Sequence, residues 1–156
     1  MLSAPGEYPF PIPSGWFRVA FAQDLRAGQV STLRYFGREL VLVAFESGAV
    51  RLFGAHCPHL GAHLGHGGRV EGESVRCPFH GWRFGPDAAC VEVPYATRIP
   101  AKARLAAYPT RVKNGIVWAW YHPLGEKPGW EAPEIPELGD PSWSPVTHQQ
   151  WLIRTR

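Results

Sequence analysis

Apolar positions along this chain fall in short runs, each closed by glycine, proline or charged residues, and no stretch sustains the period of a long amphipathic helix. Such runs predict strands over 16–21, 30–36, 39–45, 50–53, 69–71, 74–76, 82–84, 90–93, 111–113 and 116–120. The breaks carry turn chemistry. Gly37-Arg38, residues 46–49 and Gly85-Pro86-Asp87 are predicted turns, and Asn114-Gly115 supplies the positive φ angles of a type I′ hairpin. On the last strand, Trp118 and Trp120 are assigned to opposite faces of the sheet. The pattern as a whole predicts an all-β fold of antiparallel hairpins.

The two ends differ from the middle. Residues 1–15 hold Pro5, Pro9, Pro11 and Pro13, which favour an extended lead-in over a helix. Past Tyr121 a stretch rich in proline and tryptophan begins, and Trp130, Trp143 and Trp151 in it call for a surface to pack on. The predicted organisation is a lead-in over 1–15, one domain over 16–122 and a connector over 123–156. The net charge of +3 is spread without a Lys/Arg block, which argues against a nucleic-acid partner. No run approaches the ~18 apolar residues of a membrane span, and the N-terminus lacks the basic and apolar regions of a secretion signal. Three cysteines are an odd number spaced unlike a disulfide framework, so a reducing, cytoplasmic setting is predicted.

Two runs carry the chemistry: Cys57-Pro58-His59, and, beyond residues 60–76, Cys77-Pro78-Phe79-His80-Gly81. Each offers one thiolate and one imidazole to a metal, which matches the ligand set of a [2Fe-2S] cluster with two histidines on one iron. Thiolates suit iron with sulfide, and neutral imidazoles lower the negative charge placed on the cluster. Two ferric ions, two sulfides and two thiolates sum to no net charge, whereas four thiolates leave the cluster dianionic. An added electron therefore meets less repulsion, and the potential rises into a range of roughly −150 to +300 mV. Zinc also takes two cysteines and two histidines, but its modules pair Cys with Cys and His with His. Gly61, Gly65, Gly67, Gly68 and Gly81 either make turns or aim N–H groups at the sulfurs. Of the other candidates, His63 and His66 are read as surface or cluster-tuning residues, His56 as structural, and Cys90 as a buried free thiol. The ring of Trp82 is placed to shield one side of the cluster.

The runs Cys57-Pro58-His59-Leu60-Gly61-Ala62 and Cys77-Pro78-Phe79-His80-Gly81-Trp82-Arg83-Phe84 resemble the Rieske domain of non-haem iron ring-hydroxylating oxygenases. The resemblance implies three stacked antiparallel sheets, a cluster at the tip of two loops, and both histidines at the solvent edge. It implies Cys57 and Cys77 as ligands of the inner iron, and His59 and His80 as ligands of the outer one. The longer stretch 59–72 is similar to the steroid-acting subgroup. Rieske proteins of respiratory complexes have paired cysteines where this chain has Ala62 and Phe79, and a serine where it has Trp82. The loops are then held by packing, and the potential is expected near the lower end of the range.

In the oxygenases a catalytic domain follows with an Asn-x-x-Asp-x-x-His segment, two histidines and a carboxylate for mononuclear iron. Outside the cluster region this chain has only His122 and His148, read as lacking a partner carboxylate at helical spacing. The implied function is an electron-transfer domain. It takes single electrons from a reductase or ferredoxin and passes them to an oxygenase catalytic domain in a neighbouring subunit. The alternatives are a free-standing Rieske ferredoxin, for which the tail past Tyr121 is surplus, and a zinc-binding module.

Overall fold

A computed structural model describes residues 11–149 and Trp151. The described residues form β1 (Gly15–Phe21), β2 (Gln29–Tyr35), β3 (Arg38–Ala44), β4 (Val50–Gly54), β5 (Arg69–Glu71) and β6 (Ser74–Arg76). After them come β7 (Arg83–Phe84), β8 (Cys90–Glu92), β9 (Ala107–Tyr108), β10 (Thr110–Lys113) and β11 (Ile116–Tyr121). The only helical pieces among the described residues are two short 3₁₀ turns, Ala22–Asp24 and Pro136–Gly139. Pairing is antiparallel in three sheets, ordered β1-β11-β10, β2-β3-β4-β9 and β5-β6-β7-β8. The all-β expectation holds. The prolines of the expected lead-in that precede Pro11 lie outside the described residues.

Strand β3 shows why the sheets stack. Its side chains alternate between faces, yet Leu40, Val41, Leu42, Val43 and Ala44 are all buried. Val41 and Val43 join Phe53, Val75 and Phe84 in one core, while Leu40, Leu42 and Ala44 join Leu52, Val19 and Val117 in another. The central sheet is therefore covered on both faces, by the β1-β11-β10 sheet on one side and by the β5–β8 sheet with its loops on the other. A strand buried twice reads as a continuous apolar run.

Three details depart from the sequence reading. Tyr35 pairs with Arg38, so the turn is Phe36-Gly37 and not Gly37-Arg38, with φ of 55° and 67°. Tertiary packing holds a bulky residue in that conformation: the Phe36 ring stacks on Tyr121 at 4.5 Å and meets Phe17 edge-on at 5.2 Å. Trp118 and Trp120 share one face, as residues two apart in a strand must, and both pack with Trp16 and Ala132. Strand β9 was missed because two residues beside Pro109 carry no periodic signal.

The segment past Tyr121 packs back on the outer sheet. The indole N–H of Trp16 donates to the Trp130 carbonyl at 2.8 Å, that of Trp120 to Glu126 O at 2.9 Å, and Asn114 Nδ2 to Pro133 O at 2.8 Å. Trp130 meets the Trp120 ring edge-on at 5.6 Å. Trp130 finds part of the predicted aromatic surface against Trp120 and keeps about half of its own surface exposed, while Trp143 and Trp151 are more exposed still.

Candidate metal centre

The two predicted loops are built alike. In the first, the Cys57 N–H donates to Ala62 O at 2.9 Å and the Gly61 N–H to Cys57 O at 2.9 Å. In the second, Cys77 N–H donates to Trp82 O at 2.8 Å and Gly81 N–H to Cys77 O at 3.1 Å. Gly61 and Gly81 close the turns at φ of 74° and 72°, where an L side chain is strained. Each cysteine thereby starts a tight turn whose next residue is a proline of fixed φ. Two short sequences of different composition make the same shape, and they face each other at one tip of the molecule.

At that tip Cys57 and Cys77 are each 3% exposed, backed by Leu64, Val75 and Phe84, while His59 and His80 are half-buried. The two imidazole rings stand 4.7 Å apart, edge to face. Trp82 lies flat on His59, with ring centres at 4.5 Å and planes 8° apart, and its indole N–H donates to the Tyr95 hydroxyl at 2.7 Å. The shielding expected of Trp82 thus acts on a histidine ring. Burial pushes the Cys57 thiol up from 9.0 to about 11, against the lowering effect of the His59 backbone N–H and with further help from neighbouring Cys77. The amide aimed at sulfur is that of His59. The Gly61, Gly65, Gly68 and Gly81 N–H groups are committed to Cys57 O, His63 Nδ1, Leu64 O and Cys77 O, so for these four the turn-making reading is the right one.

The residues present fit a [2Fe-2S] cluster. His59 Nδ1 is buried without a hydrogen-bond partner, which leaves a lone pair or proton uncompensated unless something binds there. Beside it are two buried thiols, soft donors once deprotonated. A single zinc ion fits less well. Four ligands at 2.0–2.3 Å in a tetrahedron sit roughly 3 to 4 Å from one another. Among the described residues, the group of three donors within 4.8 Å of one another is Glu39, His56 and His63, with no three of the Cys/His quartet. Wider spacing suits two metal atoms bridged by sulfide.

The Rieske [2Fe-2S] domain family matches residues 15–109. The chain belongs to this family. It is 39% identical over 132 residues to cholesterol 7-desaturase nvd 1 of Ciona intestinalis, covering 85% of this chain and 28% of that protein. It is 38% identical over 132 residues to a probable 3-ketosteroid-9-alpha-monooxygenase oxygenase component of Rhodococcus rhodochrous, covering 83% of this chain and 33% of that one. Among solved structures, dicamba monooxygenase superposes with a TM-score of 0.68 at 25% identity, covering 82% of this chain and 40% of that chain. The Rieske chain thus spans about a third of the length of the curated relatives it matches. A Rieske domain binds a [2Fe-2S] cluster and serves as the electron-transfer domain of Rieske oxygenases, and this one has the corresponding fold.

The remaining histidines fall in two groups. His56 and His63 pair across the base of the first loop, His63 stacks on exposed His66 at 4.1 Å, and burial and then His66 hold the His63 imidazole below its ordinary pKa. His122 does meet a carboxylate at helical spacing, contrary to the sequence reading, since its Nε2 is 3.6 Å from Glu126, four residues on; His148 Nε2 is 3.4 Å from Asp24, which is distant along the chain. Neither belongs to a group of three close metal donors among the described residues. Cys90 is a buried free thiol as expected. Sequence reasoning passed over Tyr95, which no local pattern ties to Trp82, and Arg69 and Arg76, which with Phe79, His80 and Tyr95 line an open cleft of about 450 Å³. No helix among the described residues is long and apolar enough to cross a membrane.

Proposed function

We propose that Cys57 and Cys77 hold the inner iron of the cluster and His59 and His80 the outer iron, within the electron-transfer part of an oxygenase acting on a sterol or steroid. The observation that carries this reading is the pair of matched loops, which bring two buried thiols and two half-exposed imidazoles, one with an unpartnered nitrogen, to a single tip. When bound, the cluster takes up and releases one electron at a time. The protein supplies the surroundings. Leu64, Val75 and Phe84 keep water from the sulfurs, the flat contact of Trp82 fixes the ring plane of His59, and the half-exposed imidazoles present their outer N–H groups to a partner.

The rim suits a docking redox partner. Leu60, Phe79 and Tyr95 are exposed apolar side chains around the histidines, and Arg69 and Arg76 flank the cleft beside His80. An acidic ferredoxin or reductase is the proposed donor, steered by the arginines and seated on the apolar patch. The proposed acceptor is mononuclear iron in an oxygenase catalytic domain of a neighbouring subunit. Residues 16–122 are proposed as the cluster domain and 123–156 as the connector toward that catalytic domain, in the cytoplasm. The sterol or steroid substrate rests on the identity to the desaturase and monooxygenase relatives.

The test is anaerobic reconstitution followed by iron and acid-labile sulfide analysis and EPR of the reduced chain. About two irons and two sulfides per chain are expected, with a rhombic signal of average g below that of four-thiolate clusters, and loss of both in Cys57→Ser and Cys77→Ser. A reconstituted chain without labile sulfide overturns the reading. For the substrate, the full-length protein should consume reductant with a sterol or 3-ketosteroid, and indifference to both removes that part alone.

A further inference from the structure

His59 Nδ1 is one of two buried side-chain nitrogens without a partner among the described residues; the other is His63 Nε2. The first is accounted for by the cluster. The second stands outside the Cys/His quartet, in a group whose geometry is that of a separate site. His56 and His63 face each other across the foot of the first loop. The bonds Cys57 N–H to Ala62 O and Leu64 N–H to Ala55 O flank them, which makes them a non-hydrogen-bonded antiparallel pair, the kind whose side chains stand closest. Glu39 is brought alongside by the bond from Ala55 N–H to its own carbonyl, and its carboxylate lies 3.5 Å from His56 Nε2. One donor atom from each of the three residues lies within 4.8 Å of the other two.

We propose that Glu39, His56 and His63 bind a divalent transition-metal ion of the zinc class at the foot of the first cluster loop, in a site separate from the cluster. Two imidazoles and a carboxylate suit zinc and its borderline neighbours and do not suit magnesium, which takes oxygen ligands. The donors must draw in by about 1 Å to reach bond lengths of 2.0–2.2 Å. Glu39 and His56 are more than half exposed and free to turn, while His63 is held by its stack on His66. Gly65 N–H occupies His63 Nδ1 at 3.1 Å, so Nε2 is the nitrogen left for the ion. Ligation at Nε2 takes the tautomer with its proton on Nδ1, so the ring proton moves from Nε2 to Nδ1 and the Gly65 bond is given up, which sets a moderate affinity. With three protein ligands, water completes the coordination. The ion would tie β3 to both stems of the loop that carries Cys57 and His59.

The test uses the cluster-loaded chain in equilibrium dialysis against zinc, with zinc and iron measured on the same sample. The expected result is about one zinc per chain with iron unchanged, a rise in melting temperature with zinc, and no uptake of magnesium. Glu39→Gln and His63→Asn should each weaken zinc binding at least about tenfold while keeping the iron. The exposed Glu39→Gln change leaves the fold intact if His63→Asn does not. His66→Asn, outside the donor set, should still bind zinc. Failure to take up zinc, uptake unaffected by either variant, or zinc bound at the expense of iron overturns the proposal. The last outcome assigns the zinc to Cys57, Cys77, His59 and His80, and so separates this proposal from the cluster assignment.

Discussion

The thiol of Cys57 sits where burial outweighs the one amide aimed at it, and this has a pH consequence for the iron-free chain. Folding raises its pKa from 9.0 to about 11. Between those values the unfolded chain has lost the proton that the folded chain keeps, so the unfolded state binds fewer protons and stability falls as pH rises through the window. Below 9.0 both states keep the proton and this stability is fully present. Urea denaturation of the iron-free chain at about pH 8 and about pH 10.5 should show a loss of up to about 2 kcal/mol. The cluster-loaded chain should lack this loss, because bound thiolates have already given up their protons. An equal loss in both forms would refute the explanation.

In the proposed ligand set, the imidazoles of His59 and His80 act on the redox chemistry through charge. Exchanging a neutral ring for a thiolate adds one negative charge to the cluster. His80→Cys should therefore lower the potential toward the ~−400 mV of four-thiolate clusters, measured by spectroscopic redox titration of material with unchanged iron content. An unshifted potential would remove His80 from the proposed ligand set.

At the scale of elements, the same residue type works by two different physical means. Gly115 needs its positive φ of 71° for the β10–β11 turn, and a Cβ there meets open space. Gly68 lies outside the left-handed region, but a Cβ would overlap the Leu64 carbonyl oxygen that its own N–H bonds just past the first cluster loop. Gly115→Ala should cost about 1 kcal/mol with iron content unchanged. Gly68→Ala should cost roughly 2 kcal/mol or more and lower cluster loading, since the backbone of the ligand loop must shift. Thermal denaturation with iron analysis distinguishes them. The Asn114-Gly115 turn was legible because its chemistry is local. The Phe36-Gly37 turn was not, since contacts from Phe17, Tyr108 and Tyr121 hold Phe36 in a conformation its own side chain disfavours.

For the whole molecule, the stretch around Trp130 past Tyr121 is part of the folded body. Trp16, Trp120 and Ala132 share a small core closed by Trp130, and Arg111 pairs with Glu131 at 3.2 Å. Trp130→Ala should lower stability by about 1 kcal/mol and leave iron content and potential untouched, because this core lies on the far side of the central sheet from the cluster loops. A change in potential would show that the two cores are coupled.

The strand runs, the Asn-Gly hairpin and the Cys/His loops were determined by the sequence alone, since each depends on neighbours within a few residues. The proposed ligand set in particular is two contiguous motifs, and their closing glycines stand in them. Only the tertiary structure decided what meets across the layers: which face of β3 serves which core, Trp82 lying on His59 with Tyr95 at its edge, and Glu39 reaching His56 and His63. Those contacts join residues distant along the chain, and no local spacing encodes which surfaces three stacked sheets bring together.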